Sequence, residues 1–596
     1  MRAADYVFEY LKRQGVDHVF MLAGGGIMYL VDALGRSDIQ YVCCHHEQAA
    51  SIAAQAYGMY NDNLGVCLIT TGPGGTNALT GTGAAYMDST PVLFISGQVK
   101  RSDFASLRNV RQFGAQENDI VSMAKPVTKY AVTVMQPEDV PYELEKCVYE
   151  ATHGRKGPVW LDIPLDIQNT EIELGKMRHF EVEKIEQTEN VCQAVENTIK
   201  LLQNARRPLI LVGYGVDASG CQDELRELVT RTGIPVLSTW RALDFMGADE
   251  DLFFGTPGLQ APRYSNLILQ HCDFLLVLGS RLENMITAFS EERFAHMANV
   301  VVVDIDENEM MKLHIQHLTM VKADVGIFVN ELSDQLESKT LSTYSNWVSR
   351  CMTIKERFPL LAEKQTISEG VDLYRVTNTI SKYAKAGDTL VVSSTSRCNT
   401  AGHIAFERKR GQKGISSMGF GSMGFALPSA VGAYYAGDRN RIIMLEGDGS
   451  LQLNIQEFET IVSNGVDARM FIFNNIGYAA ITTMQDRNFN GFYVGSNEKS
   501  GLFMPDLERI AGAYRIPYRS IERNEDIDEA VKWAMEEVFG ACLVDIKGAL
   551  SFDEIPKCIS SVDENTGQRV SAYLENPFPF LSDKEMQTIK TFMLGE

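Results

Sequence analysis

The sequence predicts three doubly wound parallel α/β domains followed by a C-terminal tail. Short apolar runs such as PVLFIS, FLLVLG and IIML recur along residues 1–548, and strands of that kind suit a sheet covered by helices on both faces. A Gly-rich turn and a helical pattern separate one run from the next, the grammar of successive βαβ units. A chain of 596 residues is also too long for a single core. A charged, strandless stretch at 170–190 and a helical, charged one at 333–369 read as linkers. The expected spans are 1–170, 190–335 and 370–548, with an irregular tail at 549–596 that contains Pro556, Pro577 and Pro579.

In the first span the strands are HVFM, IQYVCC, LGVCLI, PVLFISGQ and Val159–Ile163, with an Ala-rich helix after His45-His46-Glu47-Gln48 and a small-residue helix after a GPGG loop. The second span has strands in PLILVGYG, GIPVLST, FLLVLG and NVVVVDID. The third is built around Arg441–Asn475, where IIML breaks at Glu446-Gly447-Asp448-Gly449-Ser450, a helical pattern follows, and MFIF ends at Asn474-Asn475. Three α/β spans of similar size are compatible with duplication, and no short period suggests a solenoid.

Composition excludes several classes. Net charge is −22 with pI near 5.0, which argues against a nucleic-acid partner. No run of about 18 apolar residues is present, so no membrane span is expected. The N-terminus enters an amphipathic helical pattern without an apolar signal region. Eleven cysteines without a metal-ligand or C-x-x-C spacing read as free thiols in a reducing compartment. The expected location is cytoplasmic.

Asp448 and Asn475 stand at the carboxyl ends of two parallel strands, where open α/β sheets bind ligands. A carboxylate and an amide oxygen suit Mg²⁺, which fills its octahedron with water and phosphate oxygens. A helix opening at Ser450 offers backbone N–H groups to an anion. Together they point to a diphosphate held through Mg²⁺.

The order of motifs narrows this. His46-Glu47-Gln48-Ala49-Ala50, Thr71-Gly72-Pro73-Gly74-Gly75-Thr76-Asn77, the run from Ala85 to Val99, Gly157 to Pro164, and the GDGS…NN stretch follow one another over residues 1 to about 550. In this the chain resembles the thiamine-diphosphate-dependent superfamily, and most closely the large subunit of acetolactate synthase. The resemblance implies a pyrimidine-binding domain at 1–170, a central nucleotide-fold-like domain at 190–335 and a diphosphate-binding domain at 370–548. It makes Glu47 the glutamate that hydrogen-bonds the aminopyrimidine and promotes the tautomer that removes the thiazolium C2 proton. It makes Met423 the bulky side chain under the folded cofactor, with the Gly421 carbonyl receiving the pyrimidine amino group. Asp448, Asn475 and the Gly477 carbonyl match the metal ligands, and Gly449, Ser450 and Tyr478 match further cofactor contacts. Gln116 aligns with a glutamine that touches substrate, although Ala115 replaces the phenylalanine before it. Of the two histidines only His46 matches, and a structural role is expected for it.

The resemblance also implies flavin. Gly213-Tyr214-Gly215, Gly255-Thr256-Pro257-Gly258 and Gly279-Ser280-Arg281 are similar to flavin-binding segments, with Arg281 at the arginine that contacts the flavin. Relatives without flavin keep several of these glycines, so FAD stays open. A homodimer or homotetramer with shared active sites is implied as well.

Two departures bear on the reaction. Simple decarboxylases of the superfamily carry a glutamate six residues beyond the metal-binding asparagine, and Ile481 stands there. An apolar pocket without that acid favours carboligation over aldehyde release. Ala480 and Met484 replace a methionine and a tryptophan of acetolactate synthases, which reshapes the acceptor pocket. The leading expectation is decarboxylation of a 2-oxo acid, pyruvate, with transfer of the acyl unit to a second carbonyl. Hydrolysis of a diketone, simple decarboxylation and a catalytically dead binding subunit stay open as alternatives.

Overall fold

The computed structural model describes all residues except 62, 183–190, 340, 364–369, 549–553, 563–568, 572 and 596. Three wholly parallel sheets organise it. The first has β1 (His18–Met21), β2 (Gln40–Cys43), β3 (Gly65–Ile69), β4 (Val92–Gln98), β5 (Tyr130–Thr133) and β6 (Val159–Pro164), in the order β2-β1-β3-β4-β6-β5. The second has β7 (Pro208–Val212), β8 (Val236–Ser238), β9 (Phe274–Leu278), β10 (Asn299–Asp304) and β11 (Leu318–Lys322), in the order β11-β10-β9-β7-β8. The third has β12 (Thr389–Val392), β13 (Lys413–Ile415), β14 (Ile442–Gly447), β15 (Ala468–Asn474), β16 (Tyr518–Ile521) and β17 (Cys542–Lys547), in the order β13-β12-β14-β15-β17-β16. The first and third sheets therefore share one strand order.

Every residue of β3, β4, β6, β7, β9, β14 and β15 is buried, as parallel strands between helical layers must be. Strands β12, β13, β16 and β17 of the third sheet escaped the sequence reading, as did the edge strands β5 and β11, where YAVT is partly exposed throughout and LTMVK is mostly so. Neither edge strand is the apolar run that marks a central strand.

Two expectations are corrected. The stretch 333–369 is not simply a linker: the helix Ser345–Arg357 buries Trp347, Cys351 and Ile354 in the core of the central domain. The tail is not irregular throughout. It carries an antiparallel strand pair, Ser560–Val562 with Arg569–Ser571, and the helix Asp583–Leu594, whose Ile589 and Met593 enter the same central core. Of the first linker, 183–190 lies outside the described residues.

The N-terminal and C-terminal sheets share a core through two helices of small residues, Glu47–Asn61 and Ala426–Ala436. A Cβ on Gly432 would lie 2.0 Å from the Ala53 carbonyl oxygen, so the two backbones touch with no side chain between them. Ala49, Ala50, Ala53, Ala54 and Ala56 make that approach sterically open.

Candidate functional site

In the third sheet the strand order turns between β12 and β14, and the crevice outside such a switch point is where open α/β sheets take ligands. Asp448 follows β14 there. The helix after the Gly-rich turn is shorter than expected and starts two residues earlier: it runs Asp448–Leu451, and a second helix opens at Glu457. Asp448 Oδ2 accepts the Gly477 backbone N–H at 3.1 Å. Burial pushes the Asp448 carboxyl up to about 6, against backbone N–H groups of Gly477, Asn475, Gly449 and Ile476. A divalent cation would return it to the charged form.

Asn475 is buried, and its Oδ1 has no hydrogen-bond donor within the protein. The next residue, Ile476, has φ +54, a strained conformation for a β-branched side chain. Gly477 has φ +152, and a Cβ there would stand 2.6 Å from the Ser496 carbonyl. This turn gathers a carboxylate, an orphaned amide oxygen and the Gly477 backbone. That donor set fits a hard cation that takes its remaining ligands from phosphate and water. Tyr478 packs on Gly449, where a Cβ would meet its ring at 2.4 Å.

Ser450 Oγ accepts the Gly424 N–H at 2.8 Å, and Asn454 donates to the Gly424 carbonyl at 2.7 Å. These bonds pin the loop bearing Gly421 (φ +69), the half-buried Met423 and Gly424 (φ +78) against the Gly-rich turn. Ser422 Oγ, in the same loop, is another buried polar atom without a partner. Beyond Tyr478, Ala480, Ile481 and Met484 all lie exposed on the helix Ala479–Phe489.

Glu47 opens the helix Glu47–Asn61 and is 8% exposed. Asn77 donates to Glu47 Oε2 at 3.0 Å, and a Cβ on Gly74 would lie 3.4 Å from Oε1. Gln116, exposed and at φ +65, reaches the same loop: its carbonyl would be 2.6 Å from a Cβ on Gly72, and it accepts from the Thr71 hydroxyl at 3.3 Å. His46 Nδ1 accepts the Gln48 N–H at 3.1 Å and so closes the turn into the helix. Glu457, which accepts the His45 N–H at 3.0 Å, ties the turn before Glu47 to the domain that carries Asp448.

The central sheet turns between β7 and β9. An open cavity lies at that point and is lined by residues of all three domains. Gly213 and Gly215 cross Gly279 so closely that a Cβ on Gly279 would be 2.4 Å from the Gly215 Cα. Arg241 lies 3.9 Å over the Tyr214 ring, and its Nη1 is buried without a partner. Arg281 lines the cavity 3.6 Å from Glu283, and burial raises the Glu283 carboxyl above its usual range. The glycine crossing and an orphaned guanidinium N–H fit a ligand with an anionic centre, such as a dinucleotide.

Sequence reasoning missed Glu457, Asp88 and Glu446. Glu446, fully buried, accepts the Ala426 N–H at 3.1 Å and so fixes the start of the small-residue helix.

Comparison with known proteins agrees with this geometry. Residues 1–123 match the thiamine pyrophosphate enzyme N-terminal TPP binding domain, 195–332 the central domain and 395–546 the C-terminal TPP binding domain. The chain is 32% identical to acetolactate synthase 1, chloroplastic, of Oryza sativa subsp. japonica, over 91% of this chain and 84% of that protein. It is 28% identical to the acetolactate synthase large subunit of Cyanidium caldarium, over 98% of this chain and 97% of that protein. The chain belongs to the thiamine-diphosphate-dependent enzymes of the acetolactate synthase type.

Proposed function

We propose that the chain decarboxylates a 2-oxo acid, pyruvate, and transfers the acyl unit to a second carbonyl. The observation that carries this reading is the exposed apolar face of Ala480, Ile481 and Met484 next to the Asn475–Tyr478 turn. With no carboxyl at these positions, no acid stands ready to protonate the new carbon, and a second carbonyl can compete for it.

Thiamine diphosphate supplies the nucleophilic carbon and the electron sink for decarboxylation. Asp448, Asn475 and the Gly477 carbonyl would hold Mg²⁺, and Gly449 and Ser450 the diphosphate. Tyr478, stacked on Gly449, walls that end of the cofactor. Glu47 would hold a proton at the far pyrimidine nitrogen, with Asn77 keeping its carboxylate aimed. The Gly421 carbonyl would take the pyrimidine amino group and Met423 would sit under the fold. Gln116 presents its side chain to substrate from the rim of the Glu47 group. The family likeness supports a complete site assembled from two copies of the chain, Glu47 from one and Asp448 from the other, in a homodimer or a dimer of dimers. The cavity of the central domain would hold FAD, with Arg241 and Arg281 on its anionic centre.

The test is incubation of the protein with thiamine diphosphate, Mg²⁺ and pyruvate, following CO₂ and acetolactate, then repeating with aldehydes and keto-sugars as acceptors. Absence of pyruvate turnover with every acceptor sinks the reading, and turnover of a cyclic diketone instead selects C–C hydrolysis. Absorbance at the flavin bands in purified protein tests FAD. A native mass near the 66.3 kDa chain mass, with full activity, rules out the shared site.

A further inference from the structure

Asp88 is buried where the three domains meet. It follows the last turn of the helix Pro73–Met87. Its Oδ2 accepts from Gln55 Nε2 at 3.1 Å, on the Glu47 helix, and from the Ser417 hydroxyl; its Oδ1 accepts the Gly419 N–H at 3.1 Å. Ser417 and Gly419 begin the segment that leads into Gly421 and Met423. The fit there is close: a Cβ on Gly419 would stand 3.1 Å from both Asp88 Oδ1 and the Met87 carbonyl, and one on Gly83 3.0 Å from the Phe420 ring. On its other side Asp88 lines the central cavity together with Met418, Gly419, Arg241 and Arg281. Burial raises its carboxyl above the usual range, opposed by the charge of Arg241, by the Ser417 and Gly419 hydrogen bonds, and by Arg281.

We propose that Asp88 is a positioning residue that couples the central cavity to the cofactor cradle, by anchoring segment 417–424, which lines the cavity at Met418 and Gly419 and leads into Gly421 and Met423. The inference rests on reading the cavity as the flavin site. A flavin in the cavity bears on Met418 and Gly419, and thiamine diphosphate bears on Gly421 and Met423. Asp88 fixes the placement of Met418–Gly419 relative to Gly421–Met423, so a ligand that holds one end favours the placement the other requires, and by linkage the effect is reciprocal.

The experiment is a flavin-fluorescence titration of the full chain with FAD, with and without saturating thiamine diphosphate and Mg²⁺. The expected result is an FAD Kd about fivefold lower in their presence, and a ratio near one in Asp88→Asn with FAD still bound. Ser417→Ala, which removes a single hydroxyl from the carboxylate, gives the same reduction in part and serves where Asp88→Asn does not fold. No FAD binding to the wild-type chain removes the flavin reading and the coupling with it. FAD binding with equal Kd in both conditions overturns the coupling alone. Coupling that survives both substitutions overturns the role of Asp88.

Discussion

Glu457 accepts the backbone N–H of His45, 412 residues earlier, at 3.0 Å to one carboxylate oxygen and 3.3 Å to the other. The bond joins the diphosphate domain to the turn that leads into Glu47. The Thr460 hydroxyl, 2.6 Å from Oε2, holds the carboxylate in place, and Glu457 is 1% exposed.

Glu457→Ala leaves the His45 N–H and the buried Thr460 hydroxyl without this acceptor, a loss of about 1–3 kcal/mol. A lower denaturation midpoint and weaker thiamine diphosphate binding are expected. Glu457→Gln keeps an acceptor for His45 and stays close to wild type. Equal midpoints and affinities for all three proteins would remove the joining role of this bond.

Glu47→Gln lowers the rate by about 10²–10⁴-fold while cofactor binding persists, and Asp448→Asn loses Mg²⁺-dependent cofactor binding. A dimer of the two variants contains one site with both native residues and one with neither. Unfolding and refolding an equimolar mixture therefore restores about a quarter of wild-type activity when sites are shared between chains. An inactive mixture shows that each site draws both residues from one chain.

Ile481→Glu puts a carboxylic acid on the exposed face of the helix Ala479–Phe489, at a position open enough to take it without burial. The expected product shifts from acetolactate to acetaldehyde. Coupling the reaction to alcohol dehydrogenase reads the aldehyde directly, and an unchanged product ratio contradicts the role given to this face.

Asp162 predicts a pH dependence. It is fully buried, and its carboxyl is pushed up to about 7 by burial, against hydrogen bonds from Ser96, Thr133 and Gln98. The native state thus binds a proton that the unfolded chain has already released above about pH 4. Its contribution to stability is fully present below that value, declines as pH rises toward 7, and is flat above. The slope is about 1.4 kcal/mol per pH unit for one such group. Denaturation of wild type and Asp162→Asn at pH 5 and pH 8 checks this. The variant gains relative to wild type as pH rises; a constant difference between the two proteins fails the prediction.

Local signals were legible in the sequence. Asp448 and Asn475 each end an apolar strand, so one βαβ unit placed both, and the same grammar placed three sheets. Glu457 and Asp88 were not legible, because their partners are 412 and about 330 residues away, and nothing local marks such pairings. The stretch holding the helix Ser345–Arg357 was read as helical but assigned to a linker, since the charged text around Trp347, Cys351 and Ile354 hides their narrow apolar stripe. The C-terminal helix announces itself by the capping box of Ser582 and Glu585, which the prolines just before it obscured. The length of the helix at Asp448 depended on a break at 452–456 that composition does not mark.

The contact of Gly432 with the Ala53 carbonyl has a mechanical meaning. Two helices that meet backbone to backbone have no layer of rotatable side chains on which to slide. The pyrimidine and diphosphate domains of one chain accordingly move as a single body, and they cannot open like jaws along this seam.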